Sequence, residues 1–571
     1  MAEELVRNRK TGLRPNDNRM RKTVISILAL LAAAILPARS QENLSERVYV
    51  STDRDVYVAG DELFFSAFCL DMLNGGFSSG SRTVYLELVS VDGPVQTAKA
   101  SLDGGRGGGV ISLQNTIPTG EYRLVAYTAQ SFNEDGYDYL SGARTLSIIN
   151  PFTTARAASG VEILSQEDYA QIPDGNQRPS AGGIRVSASG PITITNTSDR
   201  TVTLSLSVYN DDGIPAPATV NPVSFKAGAV SGRSFTERRA IDFEGEIIRT
   251  KLVGTADDIA AAVGGVANLC VPGRVNDIYS ATIQEDGTAT FYTRNIYGNT
   301  DLVLDAGTTA GNAHLEIIPP FADVSDPDIP QLPLSDALQD KILQRSLAMQ
   351  VLRATKADSL YSVLPVQEFS PLNTEPIVYV LDDYTRFPLM EELFIEFIKE
   401  ISSRRTRNGR ELIVALKDEF RQVPVPVQPC PVLLDGVPVP DHNLIFDYDP
   451  LLVEKVVIYP NTFFIGNQTY PGVVNFVTYR KDLPSYTFGD NVRVVDFHGV
   501  SYPVVSWLPD TSSQIPDLRQ TILWHPEINL APGESRTFEY CLPSYHGNFK
   551  VAVEGFDTAG VPQCACGIIS Y

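Results

Sequence analysis

The sequence predicts a mainly β protein: a multidomain array of β-sandwiches with one α+β unit near its C-terminal end. Three observations carry that expectation. Short runs of alternating apolar and polar residues recur along most of the chain, separated by Gly, Asp, Asn and Pro turns, which is the pattern of half-buried strands. Tyr is common at 24 residues, against two Trp and five Met, and Tyr suits a half-buried pleated surface. At 571 residues the chain is too long for a single ordinary core, so several units are expected. An apolar content of 43% and a charged content of 20% are those of soluble globular protein.

Residues 1–40 read as a processing segment. Met20-Arg21-Lys22 is basic, Thr23 to Leu36 is almost unbroken apolar sequence, and Ala38-Arg39-Ser40 sets small residues before an expected cut at Gln41. Basic, apolar, then small is the order of a secretory signal peptide. The apolar run falls short of the ~20 residues that span a bilayer, so no transmembrane segment is expected in the mature chain. No Cys follows the run, which argues against a lipid anchor. The formal net charge is −22, and loss of the basic leader makes the exported chain more acidic. Such a surface repels phosphate backbones and anionic lipid. Nucleic acid and membrane-surface partners are disfavoured, whereas cations, sugars or a basic protein surface fit.

The first unit is expected over residues 41–150. Its opening strand pattern is interrupted by Thr52-Asp53-Arg54-Asp55 and punctuated at Gly60. Next, Leu63, Phe65, Ala67 and Cys69 face one way and Phe64, Ser66, Phe68 and Leu70 the other, making Cys69 a small core residue. Val84, Leu86 and Leu88 alternate after them, then Tyr122, Leu124 and Ala126 beyond the turn Pro118-Thr119-Gly120. Gly104-Gly105-Arg106-Gly107-Gly108-Gly109 lacks the Gly-Lys-Ser/Thr ending of a phosphate loop and reads as a mobile loop between strands.

A second sandwich is expected over 151–235, opening with the polar linker Gln166 to Gly183. Val202, Leu204, Leu206 and Val208 point inward there, Thr201, Thr203, Ser205 and Ser207 point outward, and Asn210-Asp211-Asp212-Gly213 forms a turn. A third β domain is expected over 236–320, with a hairpin turn at Glu285-Asp286-Gly287. Residues 321–369 read as a Pro-rich connector and a helix capped by Ser335, with Leu338, Ile342, Leu343, Leu347 and Val351 on its apolar face. The α+β unit follows over 370–482. Its helix opens at Pro388 and carries Leu389, Leu393, Phe394, Phe397, Ile398 and Ile401, and Arg404-Arg405-Thr406-Arg407-Asn408-Gly409 caps it, where a basic turn complements the dipole. Residues 483–571 read as a small C-terminal sandwich whose last strand is Phe549 to Glu554.

Two stretches resemble known families. Thr52-Asp53-Arg54, then Tyr57, Gly60-Asp61 and Phe64-Phe65, resembles the opening of an alpha-2-macroglobulin-type β-sandwich domain, and Pro118-Thr119-Gly120-Glu121-Tyr122-Arg123-Leu124 resembles that domain's closing hairpin. In this reading Asp53 and Arg54 fix the entry loop by side-chain bonds to backbone. The second stretch is Pro431-Val432-Leu433-Leu434-Asp435-Gly436-Val437-Pro438, with Val453-Glu454-Lys455-Val456 and then Gly466, Tyr470 and Gly472-Val473-Val474-Asn475-Phe476-Val477-Thr478. It is similar to the plug domain of TonB-dependent outer-membrane receptors. In those receptors a large barrel follows, whereas only residues 483–571 follow here, too few for the ~9–11-residue strands of a transport barrel. The expectation is therefore a plug fold reused as a domain.

The sequence offers no catalytic, cofactor-binding or metal-ligating residues to name. It has no Cys-Gly-Glu-Gln thioester motif, no Gly-x-Ser-x-Gly elbow and no His-Glu-x-x-His helix. His314, His442, His498, His525 and His546 are dispersed, and Asp447-Tyr448-Asp449-Pro450 and Asp323 to Asp328 lack calcium-loop spacing. Six cysteines are scattered, and Cys541 with Cys564 or Cys566 is the expected disulfide in an oxidising compartment. The expected function is non-catalytic: a binding or scaffold protein of a Gram-negative cell envelope, at the outer membrane, in the periplasm or on the cell surface. Its partner is an outer-membrane protein assembly or an extracellular macromolecule. A carbohydrate- or peptide-binding module of an uptake or adhesion system is the alternative, and an enzyme with an unrecognised site the remote one.

Overall fold

The computed structural model describes residues 44–571 apart from 154–159, 174, 176–178, 228–239, 275–277, 308–309, 356–360, 366–374, 408, 416–429, 466–467 and 507–515. The expected signal peptide, Asn408 and Gly466 lie outside the described residues. The protein is mainly β and built from many small sheets.

The first unit is a two-layer sandwich. Glu46–Thr52, Glu62–Asp71 and Arg106–Ser112 form one sheet. The other runs Val56–Val58, Arg144–Ile149, Gly120–Tyr127, Thr83–Ser90, Gly93–Ser101. Leu63, Phe65, Ala67 and Cys69 meet Val84, Leu86, Leu88 and Leu124 between the layers. Burying each large apolar side chain contributes about 1.5–3 kcal/mol. The opposite face of Glu62–Asp71 is also covered: Phe68 and Leu70 pack with Phe225 and Phe556. Of the glycine-rich segment only Gly104 and Gly105 form a turn, with φ 55° and 77°; the rest is strand rather than loop. Gly107, Gly108 and Gly109 lie in the strand Arg106–Ser112, paired with Glu62–Asp71. A Cβ on Gly107 would stand 2.0 Å from the Ser101 carbonyl oxygen, so the glycines serve close backbone approach.

The second sandwich is discontinuous. Val202–Asp211 lies between Thr521–Leu530 and Asn548–Asp557, with Pro562–Ser570 beyond. Its second sheet joins Ile184–Ser187, Ile192–Asn196 and Ser535–Phe538. The two sandwiches expected separately over 151–235 and 483–571 are thus halves of one. Val202, Leu204, Leu206 and Val208 face its core as expected. Thr203, Ser205 and Ser207, expected on the surface, are each 2% exposed, because their face packs on the first sandwich.

The third unit is discontinuous too. One sheet joins Ile247–Val253 to Thr288–Tyr292 and His314–Ile317; the other runs Ile278–Thr282, Val266–Cys270, Asn299–Asp305 and then Val492–His498. The last strand comes from beyond the expected 236–320 boundary. The Asp286 carboxylate accepts from the Thr288 N–H and hydroxyl, and Gly287 has φ 78°, completing the expected turn.

The connector then straps the first sandwich. Glu87 accepts from the Ala322 and Val324 N–H groups at 2.9 and 3.1 Å, and Leu332–Leu334 pairs parallel with Val161–Ile163. Ser335 accepts from the Ala337 N–H and leads through a short 3₁₀ turn into the helix Gln339–Ala354. That helix is rotated from the expected face: Leu343 and Leu347 are 66% and 56% exposed, while Arg345 turns inward to Asp212 at 2.6 Å and to the Val56 carbonyl at 2.8 Å.

In the α+β unit a sheet runs Ile377–Val380, Val453–Ile465, Gln468–Thr478, Val432–Leu434, Val437–Pro438. The helices Met390–Glu396 and Asn443–Phe446 bring Leu393, Phe394, Ile445 and Phe446 onto Val456, Val474 and Phe476. The first helix stops well short of the basic run. Ile401–Thr406 is instead a strand in a hairpin with Gly409–Val414, where Arg404 pairs with Glu411 at 2.7 Å. Ile398 and Ile401 remain buried, so the apolar spacing that suggested one long helix serves two elements. The units therefore nest: the α+β unit interrupts the third unit, which interrupts the second sandwich.

Candidate functional site

The chemistry that the sequence singles out converges on the junction between the first and second sandwiches. Asp53 sits in the loop between the first two strands, fully buried. One carboxylate oxygen accepts from the Phe64 N–H at 3.0 Å and the Tyr57 hydroxyl at 2.8 Å; the other accepts from the Thr521 hydroxyl and from Arg54. Arg54 also reaches Asp61 at 2.8 Å and lies over the Tyr57 ring at 4.6 Å. Asp61 in turn accepts from the Val58 N–H at 2.9 Å. Burial works against the Arg54 cation, but Asp61 and Asp53 more than offset it and raise its pKa. Asp53 therefore fixes the loop through backbone as expected, whereas the Arg54 guanidinium holds it through the Asp53 and Asp61 carboxylates rather than through backbone, and the cluster extends across the unit boundary through Thr521.

A second cluster lies alongside. Glu554 accepts from the Tyr49 and Ser51 hydroxyls at 2.8 and 2.9 Å and from Arg144 at 3.3 Å. Arg144 meets Asp55 at 2.6 Å, and the Ser205 hydroxyl donates to Ser51 at 2.9 Å. Sequence reasoning missed Glu554, Arg144 and Thr521. The one available signal is Glu554 itself, a lone carboxylate inside the apolar run Val551-Ala552-Val553-Glu554-Gly555-Phe556.

The second motif forms a comparable lock. Asp435 and Gly436 take φ 48° and 84°, the left-handed pair that a tight hairpin turn requires. The Asp435 carboxylate accepts from the Thr478 N–H at 2.7 Å, the Thr478 hydroxyl at 2.6 Å and the Leu483 N–H at 3.0 Å. Asn475 accepts from the Gly436 N–H at 3.0 Å. Asp435, Gly436, Asn475 and Thr478, far apart in sequence, are thereby brought together.

Other candidates disperse. Asp447 pairs with Arg410 at 2.9 Å, Asp449 caps the Leu451 N–H at 2.9 Å, and Asp326 pairs with Arg123 at 3.1 Å. His442 accepts from the Leu412 N–H at 3.0 Å, and burial lowers its pKa. His525 packs on Phe538 and His546 on Tyr571, while His314 and His498 meet Arg493 and Asn299. Among the described residues, no three His, Cys, Asp or Glu are grouped to hold a metal. Cys541 is a free thiol, so the expected disulfide is not formed, and Cys69 is core as expected. No helix among the described residues is long and apolar enough to cross a membrane. Two recesses flank Arg54, one lined by Asp55, Asp211, Asp212 and Arg345, the other by Glu62, Met349 and Arg519. Each has room for only a few water molecules.

No family model matches the chain, and no curated protein matches it. Among solved structures it is similar to trypsin-activated alpha-2-macroglobulin from Escherichia coli, at 8% identity over 92% of this chain and 41% of that one, TM-score 0.22. It is similar also to Salmonella alpha-2-macroglobulin reacted with methylamine, at 9% identity over 92% and 39%, TM-score 0.22. A third is dimeric latent PorU from Porphyromonas gingivalis, at 10% identity over 48% and 24%, TM-score 0.14. The chain spans about two fifths of the length of these macroglobulins. The plug resemblance gains no support from these comparisons. At these scores the fold rests on the strand pairing described above.

Proposed function

We propose that this chain is a non-catalytic binding or scaffold protein of a bacterial cell envelope, an accessory component at the outer membrane. The observation that supports the reading best is that both motifs are spent on internal locks: Asp53, Arg54 and Asp61 on the sandwich junction, and Asp435 on its hairpin. Buried, paired charges hold neighbouring units in one arrangement, which suits a spacer that presents loops. On this reading residues 1–40 are a signal peptide, 41–150 a macroglobulin-type sandwich and 370–482 a receptor-plug-type unit. Crosslinking the tagged chain in intact cells, then fractionating the envelope, tests this. Recovery in the outer-membrane fraction, joined to an outer-membrane protein, is the expected outcome; a purely soluble, uncrosslinked monomer would count against it.

One observation favours carbohydrate binding as a second reading. The Tyr384 ring stacks on Phe397 with centroids 4.3 Å apart and planes 1° apart, and Tyr384 stays 41% exposed beside Asp382 and Asp383. A flat aromatic ring with polar neighbours is a platform for a sugar. Glycan-array binding that is lost in Tyr384→Ala would support it, and no binding by the wild type would remove it.

A further inference from the structure

Where the first sandwich meets the third unit, carboxylates crowd in the interior. Glu46, Asp242 and Glu246 are 0%, 1% and 2% exposed. Glu246 has a cation: Lys99 reaches it at 2.8 and 2.9 Å and lies 4.0 Å from the centroid of the Phe497 ring. Glu46 is solvated by hydroxyls, accepting from Ser78, Ser81 and Thr128, and by the Ser81 N–H. Asp242 has neither arrangement. Among the described residues its oxygens accept only from the Tyr85 hydroxyl at 2.8 Å and the Ile247 N–H at 3.1 Å. Arg82 donates its backbone N–H to the Asp242 carbonyl at 2.7 Å, but its guanidinium turns away to Asp103. The Tyr85 ring stacks on Tyr127, whose hydroxyl donates to Glu87, so that side adds no positive charge.

We propose that Asp242 is a proton-operated latch: protonated, it closes the junction of the first sandwich and the third unit, and ionised, it loosens it. The neutral carboxyl keeps both contacts, its Oδ1 still accepting from the Ile247 N–H while its Oδ2 hydroxyl takes over as donor to the Tyr85 oxygen. The ionised form places an uncompensated charge beside Glu246 and Glu46, in a site whose burial already disfavours charge. Burial and then Glu246 raise the carboxyl's pKa to about 7, so the latch works in the range an exported protein meets. The latch does not depend on which partner the protein binds.

Hydrogen exchange on the full chain tests it, read at the amides of Arg82 and Ile247. With intrinsic exchange chemistry corrected, and in a Glu121→Gln background where the other buried carboxyl held near pH 7 no longer titrates, protection there falls about tenfold between about pH 6 and about pH 8, and adding Asp242→Asn holds the low-pH level throughout. Equal corrected protection at both pH values overturns the proposal, as does a decline persisting once Asp242→Asn is added. Glu246→Gln supplies the independent arm should the first variant not fold. Both the lost anion and the freed Lys99 cation drive the midpoint to lower pH, and an unmoved midpoint likewise overturns the latch.

Discussion

Glu121 shows what one misplaced charge does to a β interior. It lies on Gly120–Tyr127, takes the Ser147 hydroxyl at 2.9 Å on one oxygen and leaves the other buried without a partner among the described residues. Burial raises its pKa to about 7, so the folded chain holds this proton more tightly than the unfolded chain does. Its effect is absent below the unfolded carboxyl range and grows as pH rises through the folded value. Stability is therefore expected to fall by about 3 kcal/mol between about pH 4.5 and about pH 7. Glu121→Gln should flatten that slope in urea titrations, and an unchanged slope would exclude Glu121 as its source. Glu554→Ala removes the partner of a buried cation and is expected to cost about 3–5 kcal/mol, measured by the same titration. The loop-fixing roles of Asp53 and Arg54 were legible in the sequence because their partners Tyr57, Asp61 and Phe64 are near neighbours. Glu554, Arg144 and Thr521 were not, since each finds its partner only after distant strands have met.

Alternation placed the strands of the first sandwich and the inward set of Val202–Asp211 correctly, because period two survives whatever lies on the far face. Periodicity failed where one apolar spacing served two elements. Phe397, Ile398 and Ile401 continue a helical pattern, yet the helix ends at Glu396 and the basic residues lie on a hairpin. It failed again on Gln339–Ala354, where the Arg345 pairing with Asp212 chose the buried face over Leu343 and Leu347. Close approach was hidden too. Gly107→Ala is expected to cost at least ~2 kcal/mol, because the clash is with backbone. In the α+β unit, Asp435→Ala removes three hydrogen bonds to a buried carboxylate and should cost about 3 kcal/mol, against about 1 kcal/mol for Thr478→Val. Thermal unfolding of the two variants orders them, and equal losses would show that Asp435 is not the hub.

At the scale of the molecule, nesting makes the C-terminal residues indispensable to units that begin far upstream. Deleting residues 521–571 leaves Val202–Asp211 without either neighbouring strand. The truncated chain is expected to lose the second sandwich while keeping the α+β unit, whose strand partners all fall within Ile377–Thr478. Limited proteolysis should leave a resistant fragment over the α+β unit, and an intact second sandwich in that chain would overturn the pairing. Long-range pairing of this kind also predicts slow refolding, which stopped-flow fluorescence measures. Composition and alternation alone determined the β class, the acidic surface and the local loop chemistry, since these depend on residues close in sequence and on sums over the chain. Which strands pair, which polar faces are buried and where the units divide was decided only in three dimensions. A row of Thr and Ser reads the same whether water or another sheet covers it, and the covering sheet is chosen by packing across the whole chain.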